Sequence, residues 1–333
     1  MSRMRNSARL LFPRSFLQFS RSIMSLPTTF NGQVQIGVLG GSGFYKLEGL
    51  ETVAEVNPET PWGFPSSPIT IAKTPAGTHV AFLARHGLAH TILPSEVPAR
   101  ANIAALKHLG VGAILAFSAV GSLQEEIAPE DFVLPTQIID RTRLGRPNTF
   151  FGEGMVAHAM FADPFSANLA SILEKCSHVL EESGKKLHTT KTQKGDLTLI
   201  CMEGPQFSTR AESHMYRSWG AHVINMSVLP EAKLAREAEI AYQMICMATD
   251  YDCWRVDEEG VTVEAVMAHV RNNTANAGRL LKAALEEFEK DASVIEKLGQ
   301  ELEGSMKFAC ITPQHARPAA TVEKLDYILP GYY

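Results

Sequence analysis

The chain has 333 residues, 45% of them hydrophobic, and it carries a formal net charge of −5. This composition supports a large buried core and excludes an intrinsically disordered chain. The acidic balance argues against a nucleic-acid-binding protein, which usually has a surplus of Lys and Arg. No apolar run reaches the ~20 residues that span a bilayer, so no membrane partner is expected.

Cysteine usage points to a reducing compartment. The five cysteines are scattered and odd in number, and no two of them have C-x-x-C spacing: Cys176, Cys201, Cys246, Cys253 and Cys310. This pattern is typical of free thiols and does not resemble a structural zinc site. We expect a cytoplasmic protein, with the nucleus as a further compartment.

Residues 1–30 differ from the rest of the chain. They contain five arginines and six serines but no acidic residue, and the first acidic residue is Glu48. An Arg- and Ser-rich, acid-poor leader is the composition of a mitochondrial presequence. A disordered leader, or sequence upstream of a start at Met24, remains open as an alternative. We place the folded domain at 31–315 and treat 316–333, which contains Pro and Gly, as a C-terminal tail.

The first predicted strand, at 34–39, leads into Gly40, Gly41, Ser42 and Gly43. Glycines after a strand let backbone N–H groups converge on an anion. The third glycine of the dinucleotide fingerprint is replaced by Lys46, and no Walker lysine follows. The loop therefore predicts either an anion site or a tight turn in an α/β sheet.

Two further predicted strands end in polar residues. The strand at 80–84 leads into Arg85 and His86, and the strand at 113–117 leads into Ser118. Arg offers a rigid donor fork for phosphate, and His adds a donor or a proton. Ligands of α/β sheets bind at such strand ends, so we favour an anion site over a surface Arg with a packing His.

The remaining pattern alternates strands with helices. We predict strands at 197–202, 221–226 and 240–249, and helices at 98–107, 166–180, 211–219, 263–270 and 275–288. Such alternation indicates one α/β domain.

The segment 224–252 carries polar residues at both ends. Ser227 follows one predicted strand, and Asp250 and Asp252 follow the next, on one face of what we expect to be extended chain. Hydroxyl donors suit a phosphate and a sugar, whereas carboxylates suit amine or ring N–H donors of a nitrogenous base. The alternative for Asp250-Tyr251-Asp252 is an exposed acidic turn.

Five segments together resemble the purine nucleoside phosphorylase family, in order along 31–315. They are Val-Leu-Gly-Gly-Ser-Gly (38–43), Leu-Ala-Arg-His-Gly (83–87), Glu-Gly-Pro-Gln-Phe-Ser-Thr-Arg-Ala-Glu-Ser (203–213), Val-Ile-Asn-Met-Ser (223–227) and Met-Ala-Thr-Asp-Tyr-Asp-Cys-Trp (247–254). The resemblance implies a single α/β domain with a mixed central β-sheet flanked by helices. It also implies a homotrimer with shared active sites and no nucleic-acid partner.

The activity that the resemblance implies is phosphorolysis. S-methyl-5′-thioadenosine and inorganic phosphate, as co-substrate, would give adenine and S-methyl-5-thioribose 1-phosphate, with no cofactor and no metal. The residues that it assigns to phosphate are Ser42, Arg85, His86, Ser118, Ala119 and Ser227. Those that it assigns to the nucleoside are Met226, Phe207, Ser208, Asp250, Asp252 and Val263, together with His158 and Ile311 from a neighbouring subunit. Thr is common in this family at the three phosphate serines, and Leu at Ile311.

The resemblance makes Asp250 and Asp252 the catalytic pair. A purine that leaves a sugar gains negative charge and must be protonated or hydrogen-bonded at N7. Protonated Asp250 could donate there, while Asp252 would accept from the 6-amino group. A protonated Asp needs burial or a like-charged neighbour, and Asp252 supplies that neighbour.

Three alternatives stay open. A 6-oxopurine nucleoside phosphorylase would need a base-reading Glu where this chain has Phe207-Ser208-Thr209, so the sequence favours adenine. A Rossmann-type dinucleotide-dependent oxidoreductase conflicts with the broken glycine fingerprint. The third alternative is a nucleoside-binding protein without catalysis.

Overall fold

The apolar runs predicted as strands form one mixed β-sheet in the computed structural model, which describes residues 26–41, 47–143, 145–255 and 263–333. Of residues 263, 265 and 268 only the backbone is described. Within these ranges the sheet has eleven strands. They are β1 (Ile36–Gly40), β2 (Glu51–Val56), β3 (Ile69–Lys73), β4 (His79–Ala84), β5 (Ala113–Ser122), β6 (Phe132–Val133), β7 (Gln137–Arg141), β8 (Leu187–His188), β9 (Thr198–Met202), β10 (Val223–Asn225) and β11 (Ala241–Asp250).

Four parallel strands form the centre of the sheet. β1 lies between β4 and β5, and β5 pairs with β11 along nearly its whole length. β2 and β3 add an antiparallel edge, whereas β10, β9 and β7 extend the sheet from the end of β5. Because the central strands run in one direction, their carboxyl ends lie at the same edge.

Helices cover both faces of the sheet. They are α1 (Ala99–His108), α2 (Ala167–Lys175), α3 (His178–Glu181), α4 (Thr190–Gln193), α5 (Arg210–Ser218), α6 (Val228–Glu237), α7 (Val263–Lys290), α8 (Ala292–Gln300) and α9 (Ala319–Asp326). Two large apolar clusters lie between the layers, one with α1 and α6 and the other with α2, α7 and α8. In β5, Ile114 faces the first cluster and Leu115 the second, as the two-residue period of a strand requires. This arrangement confirms the predicted fold class.

Two helix predictions differ from the structure. The separate helices predicted at 263–270 and 275–288 are one helix, α7, because neither Pro nor Gly interrupts the polar residues between them. Asn273, in this intervening stretch, is buried and donates to the Ala248 carbonyl at 2.9 Å. The helix predicted at 166–180 is instead divided into α2 and α3 by a turn at Cys176 and Ser177.

The C-terminal segment 316–333, expected as a tail, packs on the domain. It forms α9 and contributes Leu325, Ile328 and Leu329 to the first apolar cluster. The Tyr332 hydroxyl donates to the buried Glu239 carboxylate at 2.9 Å. The spacing of these apolar residues was the signal in the sequence, and the neighbouring Pro and Gly residues obscured it.

Candidate active site

The carboxyl edge of the central strands borders a cavity of about 690 Å³. The last residues of β5 and the loops that follow β1, β4, β9, β10 and β11 all contribute to its wall. The lining includes most residues expected at a site: Arg85, His86, Ser118, Ala119, Phe207, Met226, Ser227, Asp250 and Asp252. The common direction of the central strands brings their ends to one edge of the sheet, where these side chains meet.

One end of the cavity holds a cluster of hydroxyl groups. Ser118 Oγ and Ser227 Oγ lie 2.9 Å apart, and the Asn225 amide donates to them at 3.1 and 3.3 Å. Asn225 is buried and had no role in the sequence prediction, although it belongs to the Val-Ile-Asn-Met-Ser motif. Its amide orients both hydroxyls, so that their remaining hydrogen-bonding capacity can face the cavity.

Arg85 lies beneath this hydroxyl cluster in a buried ion pair. Its guanidinium contacts both carboxylate oxygens of Glu231, at 2.5 and 3.0 Å, and donates to the Phe117 carbonyl at 2.9 Å. The Tyr242 hydroxyl donates to the same carboxylate at 2.9 Å. Glu231, in the first turn of α6, was not assigned to the site from the sequence. In the structure it balances the charge of Arg85, which is 1% exposed.

His86 is neutral at this end of the cavity. Burial lowers its pKa to about 4, with the nearby Arg85 charge as the next largest cause. Its Nδ1 lies 2.9 Å from the Ile92 carbonyl, a distance that assigns the proton to Nδ1. Nε2 then carries a lone pair and can accept a hydrogen bond.

The opposite end of the cavity holds two carboxylates. Asp250 accepts from the Thr249 hydroxyl at 2.7 Å and from the Asp252 backbone N–H at 2.8 Å. Burial raises the pKa of Asp250, and the charge of Asp252 adds a smaller increase against the opposing hydrogen bonds. Burial likewise raises the pKa of Asp252. Of the two causes named in the sequence analysis, burial and a like-charged neighbour, burial is the larger cause of the raised pKa of Asp250.

The backbone around Asp252 differs from the extended chain that we expected. β11 ends at Asp250, and Asp252 has a φ of 49°, in the left-handed region. This turn directs both carboxylates to the same cavity, whereas alternation along a strand would only have placed them on one face of the sheet.

Apolar side chains line the space between the two ends. Phe207 is 44% exposed and lies in the wall with Met226. Helix α7 contributes Val266 and Met267, which the sequence did not single out. Ser208 is buried beside the cavity, where its hydroxyl contacts the Met202 sulfur at 3.6 Å.

Besides Ser208, four predicted residues are not seen in the lining of this cavity. Ser42 and the side chain of Val263 lie outside the described residues. His158 and Ile311 lie on two surface segments that pair antiparallel through Ala157 and Cys310, where their backbone N–H groups donate to Ala309 and Val156 respectively. Ile311 is 63% exposed, and neither residue lines the cavity of its own chain.

A buried arginine behind the cavity wall also escaped the sequence prediction. Arg146 is 7% exposed and bonds the loops after β9 and β10. A buried, paired cation in a loop has no periodic signature in a single sequence. Across the described ranges, no group of three or more His, Cys, Asp or Glu side chains is placed to hold a metal ion.

A comparison with protein families matches residues 35–286 to the phosphorylase superfamily. The match spans well over half of the chain and includes every strand that borders the cavity. The chain belongs to this superfamily, and the resemblance seen in its sequence motifs is confirmed.

The relatives within the superfamily are more specific. S-methyl-5′-thioadenosine phosphorylase of Schizosaccharomyces pombe is 59% identical over 299 residues, which cover 90% of this chain and 96% of that protein. The protein of the same name from Yarrowia lipolytica is 55% identical over 93% of this chain and 97% of its own.

Solved structures agree with these relatives. A methylthioadenosine phosphorylase from an antarctic soil metagenomic library has a TM-score of 0.79 and 41% identity, over 90% of this chain and 99% of that one. An adenosine/methylthioadenosine phosphorylase variant from Schistosoma mansoni was solved in complex with methylthioadenosine. It has a TM-score of 0.72 and 33% identity, over 82% of this chain and 99% of that one.

Proposed function

We propose that the protein catalyses the phosphorolysis of S-methyl-5′-thioadenosine to adenine and S-methyl-5-thio-α-D-ribose 1-phosphate. The observation that carries this proposal is the pair of buried carboxylates across one cavity from a cluster of hydroxyls and a neutral imidazole. The names of the relatives point to the same reaction. It serves the salvage of purine and of methionine precursors.

Phosphate binds at the hydroxyl end. Ser118, Ser227 and the loop after β1, with Ser42, donate to its oxygens, and Ala119 lines the site. His86 Nε2 accepts from the P–OH of monohydrogen phosphate. Because Glu231 balances the guanidinium of Arg85, the phosphate keeps more of its nucleophilic charge than it would beside an unpaired cation.

The base binds at the carboxylate end. Protonated Asp250 donates to N7, and Asp252 accepts from the 6-amino group. As the C1′–N9 bond breaks, its electron pair moves into the purine and the Asp250 proton passes to N7. A phosphate oxygen forms the new bond to C1′, and Asp250 is later reprotonated from solvent.

The apolar middle of the cavity holds the sugar and its 5′ group. Met226 lies against the ribose, and Phe207 and Ser208 border the base. Val266 and Met267 form an apolar slot for the methylthio group, and the resemblance in sequence assigns Val263 to the same group. Such a slot favours a thioether over the 5′-hydroxyl of adenosine because a buried hydroxyl would lose its hydrogen bonds to water.

We further propose a homotrimer in which His158 and Ile311 complete the 5′ slot of a neighbouring subunit. Their surface also carries Val156, Met160 and Phe308, which are 49%, 73% and 89% exposed. An apolar patch of this kind marks an interface. Phe308→Asp should lower the mass measured by light scattering, and the adjacent Lys307→Ser should leave a trimer.

The reaction is tested by mixing the protein with S-methyl-5′-thioadenosine, with and without phosphate, and measuring adenine by chromatography. We expect adenine only when phosphate is present, with equimolar sugar 1-phosphate. Release without phosphate would indicate a hydrolase and contradict the proposal. Faster turnover of inosine than of the thio-nucleoside would establish a 6-oxopurine enzyme instead.

We propose the cytoplasm and nucleus as the sites of this activity. The scattered free thiols support a reducing compartment. Imaging of the full chain with a C-terminal fluorescent tag, beside a variant without residues 1–30, tests this. A mitochondrial signal that is lost with residues 1–30 would favour the presequence.

A further inference from the structure

The loops after β9 and β10 are joined by a single buried side chain. Arg146 Nη1 donates to the carbonyls of Met226 and Leu229, at 2.6 and 2.9 Å. Its Nη2 donates to the Glu203 carbonyl at 2.5 Å, and its Nε bonds the Glu203 carboxylate at 2.7 Å. One guanidinium therefore contacts backbone on both sides of the gap between these loops.

These contacts begin where the sheet ladder ends. β9 and β10 pair in parallel up to Cys201 and Asn225, where the ladder of paired residues ends. The carbonyls that Arg146 binds belong to residues beyond this point. Arg146 thus continues, through a side chain, the cross-strand hydrogen bonding that the backbone no longer provides.

Each joined loop carries one part of the proposed site. The loop after β9 continues to Phe207 at the base end, and the loop after β10 contains Met226 and Ser227 at the sugar and phosphate end. Arg146 itself is absent from the described lining of the cavity and lies behind Met226 and Ser227. Arg146 is therefore placed to act on substrate through the loops rather than by direct contact.

The chemistry of Arg suits this bridging role. Its planar fork presents donors in fixed directions, whereas the compact ammonium of Lys cannot reach two divergent loops. The Glu203 carboxylate balances the charge of Arg146, and the Arg146 side chain is only 4% exposed. The guanidinium is thereby held in hydrogen bonds to a fixed set of backbone carbonyls.

We propose that Arg146 is a positioning residue that sets the distance between the base end and the phosphate end of the site. This inference rests on the proposed function. Its signature is a joint effect: loosening the bridge weakens adenine and phosphate binding together, whereas loss of a direct ligand weakens one of them.

The test compares Arg146→Lys with the matched control Arg143→Lys. Arg143 is three residues away with a 66% exposed side chain, 3.7 Å from Glu212. For wild type and both variants, the Kd of adenine, the Kd of phosphate and the two KM values are measured well below each melting temperature. Glu203→Gln, which removes the charge from the same bridge, serves as a second variant if Arg146→Lys does not fold.

We expect Arg146→Lys to raise both Kd values by about 10- to 100-fold, because displacements near 1 Å have effects of this size. Arg143→Lys should stay within about threefold of wild type, a surface substitution being nearly neutral. Glu203→Gln should weaken both ligands, though less. An effect on phosphate alone, or none on either ligand in a folded variant, would overturn the proposal.

The two proposals fail in different ways. Wild-type protein that binds adenine and phosphate but releases no adenine from the thio-nucleoside disproves the proposed reaction, while the binding data still decide the role of Arg146. Wild-type protein that binds neither ligand disproves both.

Discussion

The two ends of the cavity handle charge in opposite ways. At the proposed phosphate end, Arg85 and Glu231 neutralise each other beneath the cavity, and Ser118, Ser227 and a neutral imidazole line it. At the base end, two carboxylates of raised pKa line the cavity without a paired cation within hydrogen-bonding distance in the described structure. The charges at one end are balanced within the protein, whereas burial at the other end raises the pKa of both carboxyl groups and so favours their protonated forms.

This difference matches the demands of the two reactants. A nucleophilic phosphate must be held without losing its electron density, so neutral donors over a balanced ion pair suit it. A leaving purine must receive a proton or a hydrogen bond, so a carboxyl that stays protonated by burial suits it. Five substitutions or titrations would break or sharpen this contrast.

The largest effect is expected at the base end. Asp250→Asn removes the proton donor but keeps the shape, and we expect kcat/KM for S-methyl-5′-thioadenosine to fall roughly 10²- to 10⁴-fold. Turnover of inosine should fall less, because an amide can also donate to a 6-oxo group. Asp163→Asn, at an exposed carboxylate, is the control. Unchanged adenine release by Asp250→Asn would remove Asp250 from the mechanism.

Breaking the charge balance at the phosphate end should act on stability. Glu231→Gln leaves Arg85 buried and unpaired, and we expect about 3–5 kcal/mol less free energy of unfolding by urea denaturation. The double variant Arg85→Met/Glu231→Leu should recover most of this loss, since it buries no charge. If Glu231→Gln alone were as stable as wild type, Glu231 would not be the group that balances the buried charge of Arg85.

The hydroxyl cluster should have a smaller and more local effect. Ser118→Ala removes one donor, and we expect the KM for phosphate to rise about tenfold, equivalent to ~1.4 kcal/mol, with little change in the KM for nucleoside. Ser118→Thr keeps the hydroxyl and should stay near wild type. Ser218→Ala, exposed on α5, is the control. Equal effects on both KM values would contradict a separate phosphate end.

The pH dependence of kcat/KM should report on Asp250, at the base end. Asp250 acts in its protonated form, so kcat/KM should fall as pH rises through its raised pKa, and Asp250→Asn should lack this fall. The opposite sign, activity that grows on deprotonation of Asp250, would make it a base.

His86 should give the smallest effect. Its folded-state pKa of about 4 lies below its ordinary value of 6.5, so the unfolded state binds more protons between these values. Stability should therefore rise with pH across this window, and His86→Gln should flatten the rise. NMR titration of the ring checks the same assignment; an apparent pKa near 6.5 would show that His86 is not desolvated.

Sequence patterns predicted the elements that position the site. The apolar runs before Arg85, Ser118 and Asp250 identified β4, β5 and β11, because a buried strand has a strong local signature. They did not predict that α7 is one helix, although neither Pro nor Gly interrupts 271–274, nor that 316–333 packs on the core, because Pro and Gly obscured its apolar spacing. Nor could they predict the turn at Asp252, because a left-handed Asp has no pattern in a single chain.

The amino-acid sequence by itself determined the fold class, the residue types of the site and their order along the chain. Only the tertiary structure decided how charge is distributed among them. Glu231 lies 146 positions from Arg85, and Arg146 lies 80 from Met226. Such pairs form because folding removes these ions from water, which makes any unpaired charge costly. The need to pair buried ions depends on which residues are close in the folded structure, so it produces no periodic pattern in the sequence.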